Sequence, residues 1–310
     1  MRVFLITIPS GWVTGIGIDT ALSQHRGLFD SKPKLARFQV QSGCALKIGA
    51  CIRFLSLVNQ LALCGATVEI VFEDVGTGVM GYLSRMGFFE CLSPAIKVSP
   101  SRPEISGRVV YGGGNSGLVE IAPLSPGSRD KNLPNRLAET AARLHSDPKT
   151  GERLGDEVFT IFSELIGNVY DHSGSRLDGY AALQSYTRRR RGPGAVEIAV
   201  SDSGVGILAT LRPALTRSGH VYADLDDADL LFKAVTEGVS KNGVGYGCGL
   251  RLSADKALLL KANLEIRLPE CRMNLVPRAT AYRQEAMLYG TDGLPHVDGT
   301  HLCFDFRLDN

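Results

Sequence analysis

Glu164-Leu-Ile-Gly-Asn168-Val-Tyr-Asp-His172, Asp202-Ser-Gly204-Val-Gly206-Ile207 and Gly243-Val-Gly245-Tyr-Gly247-Cys-Gly249-Leu250 are the segments whose reading decides the fold. The first reads as part of a helix. From Asp156 to Tyr170, Val158, Ile161, Phe162, Leu165, Ile166 and Val169 recur at helical spacing, with no proline and only Gly167 as a weak point. Glu164, Asn168 and His172 are four residues apart, so each is turned about 40° from the last and all share one face. A carboxylate and an amide in line suit a hard cation that takes oxygen ligands. The carboxylate alternatively polarises a water or hydroxyl, and the plainest reading is the solvated face of an amphipathic helix.

The second segment follows a strand, Ala195 to Ser201, with apolar residues alternating at Val196, Ile198 and Val200. Glycines two residues apart after a strand let the backbone approach a ligand and take positive φ. Asp202 at the strand end is placed to accept a hydrogen bond from an exocyclic amine such as that of adenine, or else to open an ordinary Asp-Ser-Gly turn. In the third segment, Gly243, Gly245, Gly247 and Gly249 lead into a helical run, Leu250 to Leu260. Such a loop presents free N–H groups and the positive end of a helix dipole to phosphates; a merely flexible loop is the alternative.

In this order the three segments resemble the ATP-binding boxes of the gyrase, mismatch-repair, heat-shock-chaperone and histidine-kinase ATPases, the Bergerat fold. The resemblance covers roughly residues 134–310. It implies an α/β architecture whose C-terminal part is a two-layer sandwich, a mixed sheet with helices on one face. It also implies ATP and Mg²⁺ as cofactors, Glu164 as the base or water-orienting carboxylate, and Asn168 as the Mg²⁺ ligand. Asp202 would hold the adenine amine, and Gly204, Gly206 and Ile207 would belong to the first glycine box. Gly243, Gly245, Gly247, Gly249 and Leu250 would form the phosphate lid. His172 stands where many kinases of the superfamily have Lys or Arg; the anti-sigma-factor serine kinases are similar in having His there.

Composition sets the frame. The 310 residues suffice for two domains of about 100–200 residues each. A net charge of +2 gives no argument for nucleic acid or an anionic membrane. Cys44, Cys51, Cys64, Cys91, Cys248, Cys271 and Cys303 are scattered without a Cys-x-x-Cys pair, which reads as the reduced thiols of a cytoplasmic protein. Met1 to Pro9 reads as an edge strand rather than a signal peptide. No apolar run approaches the roughly 18 residues of a membrane span. Four arginines, Arg188 to Arg191, read as the solvated tip of a hairpin.

Residues 123–133, rich in proline, glycine and charge, read as a linker. Before it, residues 1–122 read as a small α/β domain of their own, with a helix from Leu46 to Leu63, a strand from Ala66 to Phe72 and a helix from Gly78 to Met86. About 45 residues of this half loosely resemble the anti-sigma-factor antagonist domains, which implies a regulatory or partner-docking role. Residues 208–242 are expected to carry one helix, 228–238, within a mobile lid.

Two functional classes follow. The first is an ATPase or an anti-sigma-type serine/threonine kinase that transfers phosphate to a protein partner. The second is a non-catalytic, ATP-dependent switch controlling such a partner, for which the large N-terminal half argues. Of His25 and His145, the upstream candidates for a histidine-kinase phosphoacceptor, His145 has no acidic residue directly after it and precedes the helix-stopping Pro148. Asn310 comes just after the strand His301 to Leu308, which sets the chain apart from the gyrase and mismatch-repair types in expectation. A homodimer is left open.

Overall fold

The computed structural model describes residues 2–25, 27–29, 33–74, 78–112, 114–186, 194–240, 243–244, 249–289 and 294–308; of 243–244 and 286–289 the backbone alone is described. The first elements are β1 (Val3–Ile8), β2 (Gly11–Val13), α1 (Gly15–Ser23), β3 (Leu35–Val40), β4 (Cys44–Leu46) and α2 (Ile48–Leu63). They continue with β5 (Thr67–Phe72), α3 (Gly78–Met86), α4 (Phe88–Cys91), β6 (Lys97–Ser99) and α5 (Gly107–Tyr111). Strands β1, β3, β5 and β6 lie in that order in one sheet, every pair parallel. Period-two alternation explains their packing: β1 buries Phe4, Ile6 and Ile8 and leaves Val3 and Leu5 exposed.

The second half comprises β7 (Leu118–Leu124), α6 (Leu133–Arg143), α7 (Pro148–His172), β8 (Gly179–Tyr186), β9 (Gly194–Ser201) and α8 (Ile207–Arg217). A 3₁₀ turn (Val221–Asp224) precedes α9 (Asp227–Glu237), β10 (Val239–Ser240), β11 (Gly243–Val244) and α10 (Gly249–Leu259). Four strands close the order: β12 (Asn263–Leu268), β13 (Cys271–Arg278), β14 (Ala281–Tyr289) and β15 (His301–Leu308). Seven of these strands form one sheet in the order β14-β13-β12-β15-β9-β8-β7. Every neighbouring pair is antiparallel, so the architecture is α/β as expected but this sheet is not the mixed one anticipated.

Both faces of that sheet are covered. On one face Leu183, Ile198, Val200 and Phe304 share a core with Val158, Ile161, Phe162 and Leu165 of α7, and the rings of Phe162 and Phe304 meet edge to face at 5.5 Å. On the other face Tyr180, Ala182 and Ala199 join the core of the first sheet. The element between the sheets is α2. Phe54 packs on Phe38 and Phe88. Around the same helix, Arg53, Ser56, Asn59 and Gln60 are buried and bond across to Glu265, Ser201, Tyr180 and Ser203. A helix apolar on one side and polar on the other thus has no solvated face.

This changes the picture of two modules joined by a linker. Residues 118–122, assigned above to the first module, belong to β7, the edge strand that pairs with β8 in the second sheet. Helix α2 covers a face of β8 and β9 that the expected sandwich, with helices on one face, leaves open. Helix α7 starts at Pro148, about two turns before Asp156, and Asp147 caps it by accepting the Thr150 N–H at 2.9 Å. Gly151 permits this start: a Cβ there would stand 2.5 Å from the Ala142 carbonyl oxygen of α6. Residues 208–240 form a packed unit, with Leu211 and Leu215 of α8 against Leu230 and Ala234 of α9. The expected helix at 228–238 is α9, but α8 was not foreseen. Arg188 to Arg191 lie outside the described residues. No described helix is long and apolar enough to cross a membrane. Among the described cysteines all are free thiols.

Candidate functional site

Helix α7 buries Val158, Ile161, Phe162, Leu165, Ile166 and Val169 and turns Glu164, Asn168 and His172 outward. That polar row forms one wall of a cavity of about 510 Å³. Asp202, Gly206 and Ile207, from the turn after β9, form a second wall, and Gly249 and Leu250 at the start of α10 a third. Val200 and Leu302 give it an apolar floor. Residues from three distant parts of the chain therefore meet at one opening.

Two glycines sit where these walls approach most closely. A Cβ on Gly249 would stand 2.7 Å from Glu164 Oε2 and 3.4 Å from Asn168 Nδ2, so a larger residue there would make the Glu164 carboxylate swing away from the α10 N-terminus. Gly206 has φ +81°, and a Cβ there would press to 2.7 Å from the Pro269 ring.

Asp202 is held by hydrogen-bond donors rather than by cations. Its Oδ1 accepts the Gly204 N–H at 2.7 Å, and its own N–H donates to the Thr300 carbonyl at 3.0 Å. Burial pushes the carboxyl above the usual carboxylate range, and the bonds from Gly204 and Thr300 offset part of that rise. A partly desolvated acceptor opening onto a cavity with an apolar floor is chemically suited to a neutral N–H donor on a flat apolar ligand.

The chain matches no protein-family model and no curated protein sequence.

Of the residues singled out in the sequence, Glu164, Asn168, His172, Asp202, Gly206, Ile207, Gly249 and Leu250 line the cavity together. Gly204 does not line it but shapes the Asp202 turn, where a Cβ would meet the Ser173 carbonyl oxygen at 2.2 Å. Gly243 lies in β11, paired in a short antiparallel ladder with β10. Gly245 and Gly247 lie outside the described residues. Sequence reading missed Thr300, which lines the cavity and hydrogen-bonds Asp202. The available signal was Asp298-Gly299-Thr300, a turn signature directly before the last strand. Gly299 has φ +100°, and a Cβ there would stand 2.0 Å from the Asp202 carbonyl oxygen.

As for a metal, no three His, Cys, Asp or Glu side chains come together as a ligand group among the described residues. Glu164 and Asn168 are nonetheless oxygen donors on one helix face. That small set fits Mg²⁺, which is commonly held by one or two protein oxygens while phosphates and water complete its shell.

Proposed function

We propose that this cavity binds ATP with Mg²⁺, and that the protein hydrolyses ATP or transfers its γ-phosphoryl group to Ser or Thr of a protein partner in a regulatory role. The observation that carries the reading is the convergence of the Glu164–Asn168–His172 row, the Asp202 turn and the Gly249 helix start on one cavity. The resemblance of these segments to the Bergerat boxes, in the same order, supports it. Asp202 and Thr300 receive the adenine edge, Val200 and Leu302 lie beneath the base, and the start of α10 offers the phosphates the positive end of its helix dipole.

Bound Mg²⁺ would be held by Asn168 with Glu164 beside it, and its charge would neutralise the phosphate oxygens. Glu164 then takes the proton of a water or a Ser/Thr hydroxyl as that oxygen forms its bond to the γ-phosphorus. The bond from the γ-phosphorus to the bridging oxygen breaks, and ADP leaves with the electron pair.

The second reading, a non-catalytic switch, draws on the position of α2. Asp202 follows β9 directly, and β9 shares Ala199 and the hydroxyl–hydroxyl bond between Ser201 and Ser56 with the core of the N-terminal half. Nucleotide at Asp202 would thus bear on a strand that both halves use. Incubation with γ-labelled ATP and candidate partners separates the classes: labelled partner marks a kinase, free phosphate an ATPase, and neither a switch.

Asp202→Asn is expected to weaken ATP binding by about 1–3 kcal/mol, the worth of a lost charge-assisted hydrogen bond. Titration calorimetry on both proteins measures it, and wild-type affinity in the variant removes Asp202 from adenine recognition.

A further inference from the structure

On the face of the seven-stranded sheet turned toward α1 and α2, polar side chains stand where a packed sheet ordinarily carries apolar ones. The strand register sets Glu197 of β9 opposite Asp305 of β15, and Asp305 opposite Asn263 of β12. One rung along, Cys303 is opposite Glu265, and Glu265 is opposite Asn274 of β13. Direct cross-strand partners share a face at about 5 Å, and like charges in that relation destabilise a sheet. The starts of α1 and α2 roof these rungs and leave a cavity of about 250 Å³, lined among others by Lys47, Glu197, Asn274 and Asp305.

The unmet hydrogen bonds of this cavity specify its ligand. Glu197 is only 6% exposed. Its Oε1 accepts the Cys303 thiol at 3.1 Å, while its Oε2 has no hydrogen-bond partner. Lys47 Nζ stands 3.5 Å from that oxygen, an ion-pair contact longer than a good hydrogen bond, and lies over the Tyr186 ring. Asp305 Oδ1 and Asn274 Oδ1 are likewise buried without a partner. All three open positions are acceptors.

The charges agree. Glu265 is engaged by Arg53 at 2.5 Å, and Glu285 at the rim pairs with Arg278 and Arg283. That leaves Glu197 and Asp305 with Lys47 beside Glu197, two carboxylates against one cation, a surplus of one negative charge for an ammonium group to balance. Burial pushes the Glu197 carboxyl up, Lys47 and the Cys303 thiol draw it back, and the neighbouring Asp305 adds to the rise. Water would supply donors here but no charge.

We propose that this cavity binds a small aliphatic diamine, with one ammonium group between Glu197 and Asp305 and the other reaching Asn274. Strands β15 and β13 are separated by β12, and Asp305 and Asn274 are offset by two residues along it, so the two acceptor positions are about 12 Å apart at the backbone, farther than one ammonium spans. A short methylene chain suits that gap. The site does not rest on the nucleotide reading: Glu197, Cys303 and Asp305 point to the opposite face of β9 and β15 from Val200 and Leu302.

The test is calorimetry of the full chain, without nucleotide, against 1,4-diaminobutane, butylamine and 1,4-butanediol. The diamine is expected to bind once per chain and more tightly than butylamine, and the diol not at all. Asp305→Asn should weaken diamine binding about tenfold or more. Asn274→Asp, which adds a carboxylate and removes none, should strengthen it, so that a gain guards against confusion with misfolding. Absence of diamine binding by the unmutated chain, or an affinity unchanged in both variants, overturns the proposal.

Discussion

Asp19→Ala should destabilise the protein by about 3–5 kcal/mol, the cost of removing one partner from a buried ion cluster. Asp19, on α1, is 2% exposed, and three arginines converge on it. Arg53 approaches at 3.1 Å, Arg272 at 2.9 Å and Arg267 at 3.3 Å. Arg53 has Glu265 as a second carboxylate, and Arg267 donates to the Leu268 and Pro295 carbonyls. Without Asp19 the cluster keeps three buried guanidinium groups and one carboxylate. Because Arg53 belongs to α2 while Arg267 and Arg272 belong to the second sheet, the loss falls on the junction of the two sheets.

The pH dependence of stability follows from the same region. Burial alone would raise the Asp19 carboxyl, but Arg53, Arg267 and Arg272 more than offset it and hold it below 3.8. A carboxyl depressed in the fold stabilises above its unfolded value and loses that contribution as pH falls through the folded one. His301, 3% exposed, is lowered from 6.5 to about 3 by burial and by Arg53 and Arg267 nearby. Its ring is neutral in the fold and takes a proton more readily when unfolded, so stability falls as pH drops from 6.5 toward 3. Denaturant unfolding on either side of pH 6.5 should show the first loss already there, with the Asp19 loss following at more acid pH. A stability flat across that interval, or an Asp19→Ala variant as stable as the unmutated chain, contradicts this account of the junction.

Glu164→Ala should retain ATP yet lose turnover by about 10²–10⁴-fold, the usual worth of a positioned base. The α7 backbone and Asn168 stay in place in this variant, so binding and chemistry separate. Asn168→Ala should instead lose the Mg²⁺ dependence of binding. Steady-state phosphate release and titration calorimetry on the same preparations tell the two apart. Equal turnover in Glu164→Ala and the unmutated chain places the protein with the non-catalytic switches.

Local patterns revealed what local physics determines. The apolar spacing from Val158 to Val169 marked the face α7 buries, and with it the face that carries Glu164, Asn168 and His172. The alternation in β9 was equally legible, because a period of two is a property of a few neighbouring residues. The rest depends on which surfaces meet. In isolation Arg53, Ser56, Asn59 and Gln60 read as the solvated side of an amphipathic helix, and Glu197 and Asp305 as the wet face of half-buried strands. Each is covered because α2 lies between two sheets. The early start of α7 was hidden by Gly151 and Gly155, poor helix formers whose place is set by contact with α6. Residues 118–122 look like the tail of the first half and become the edge strand of the second sheet only once β8 is beside them. Thr300 escaped notice because its partner Asp202 is remote in sequence.

The central claim is that the cavity between α7, the Asp202 turn and α10 holds an adenine nucleotide. Its most direct test is calorimetric titration of the full chain with ATP and GTP, each with and without Mg²⁺. The account predicts one saturable site per chain that prefers ATP over GTP and binds ATP more tightly with Mg²⁺. No heat of binding with ATP, or equal affinity for both nucleotides, would contradict it.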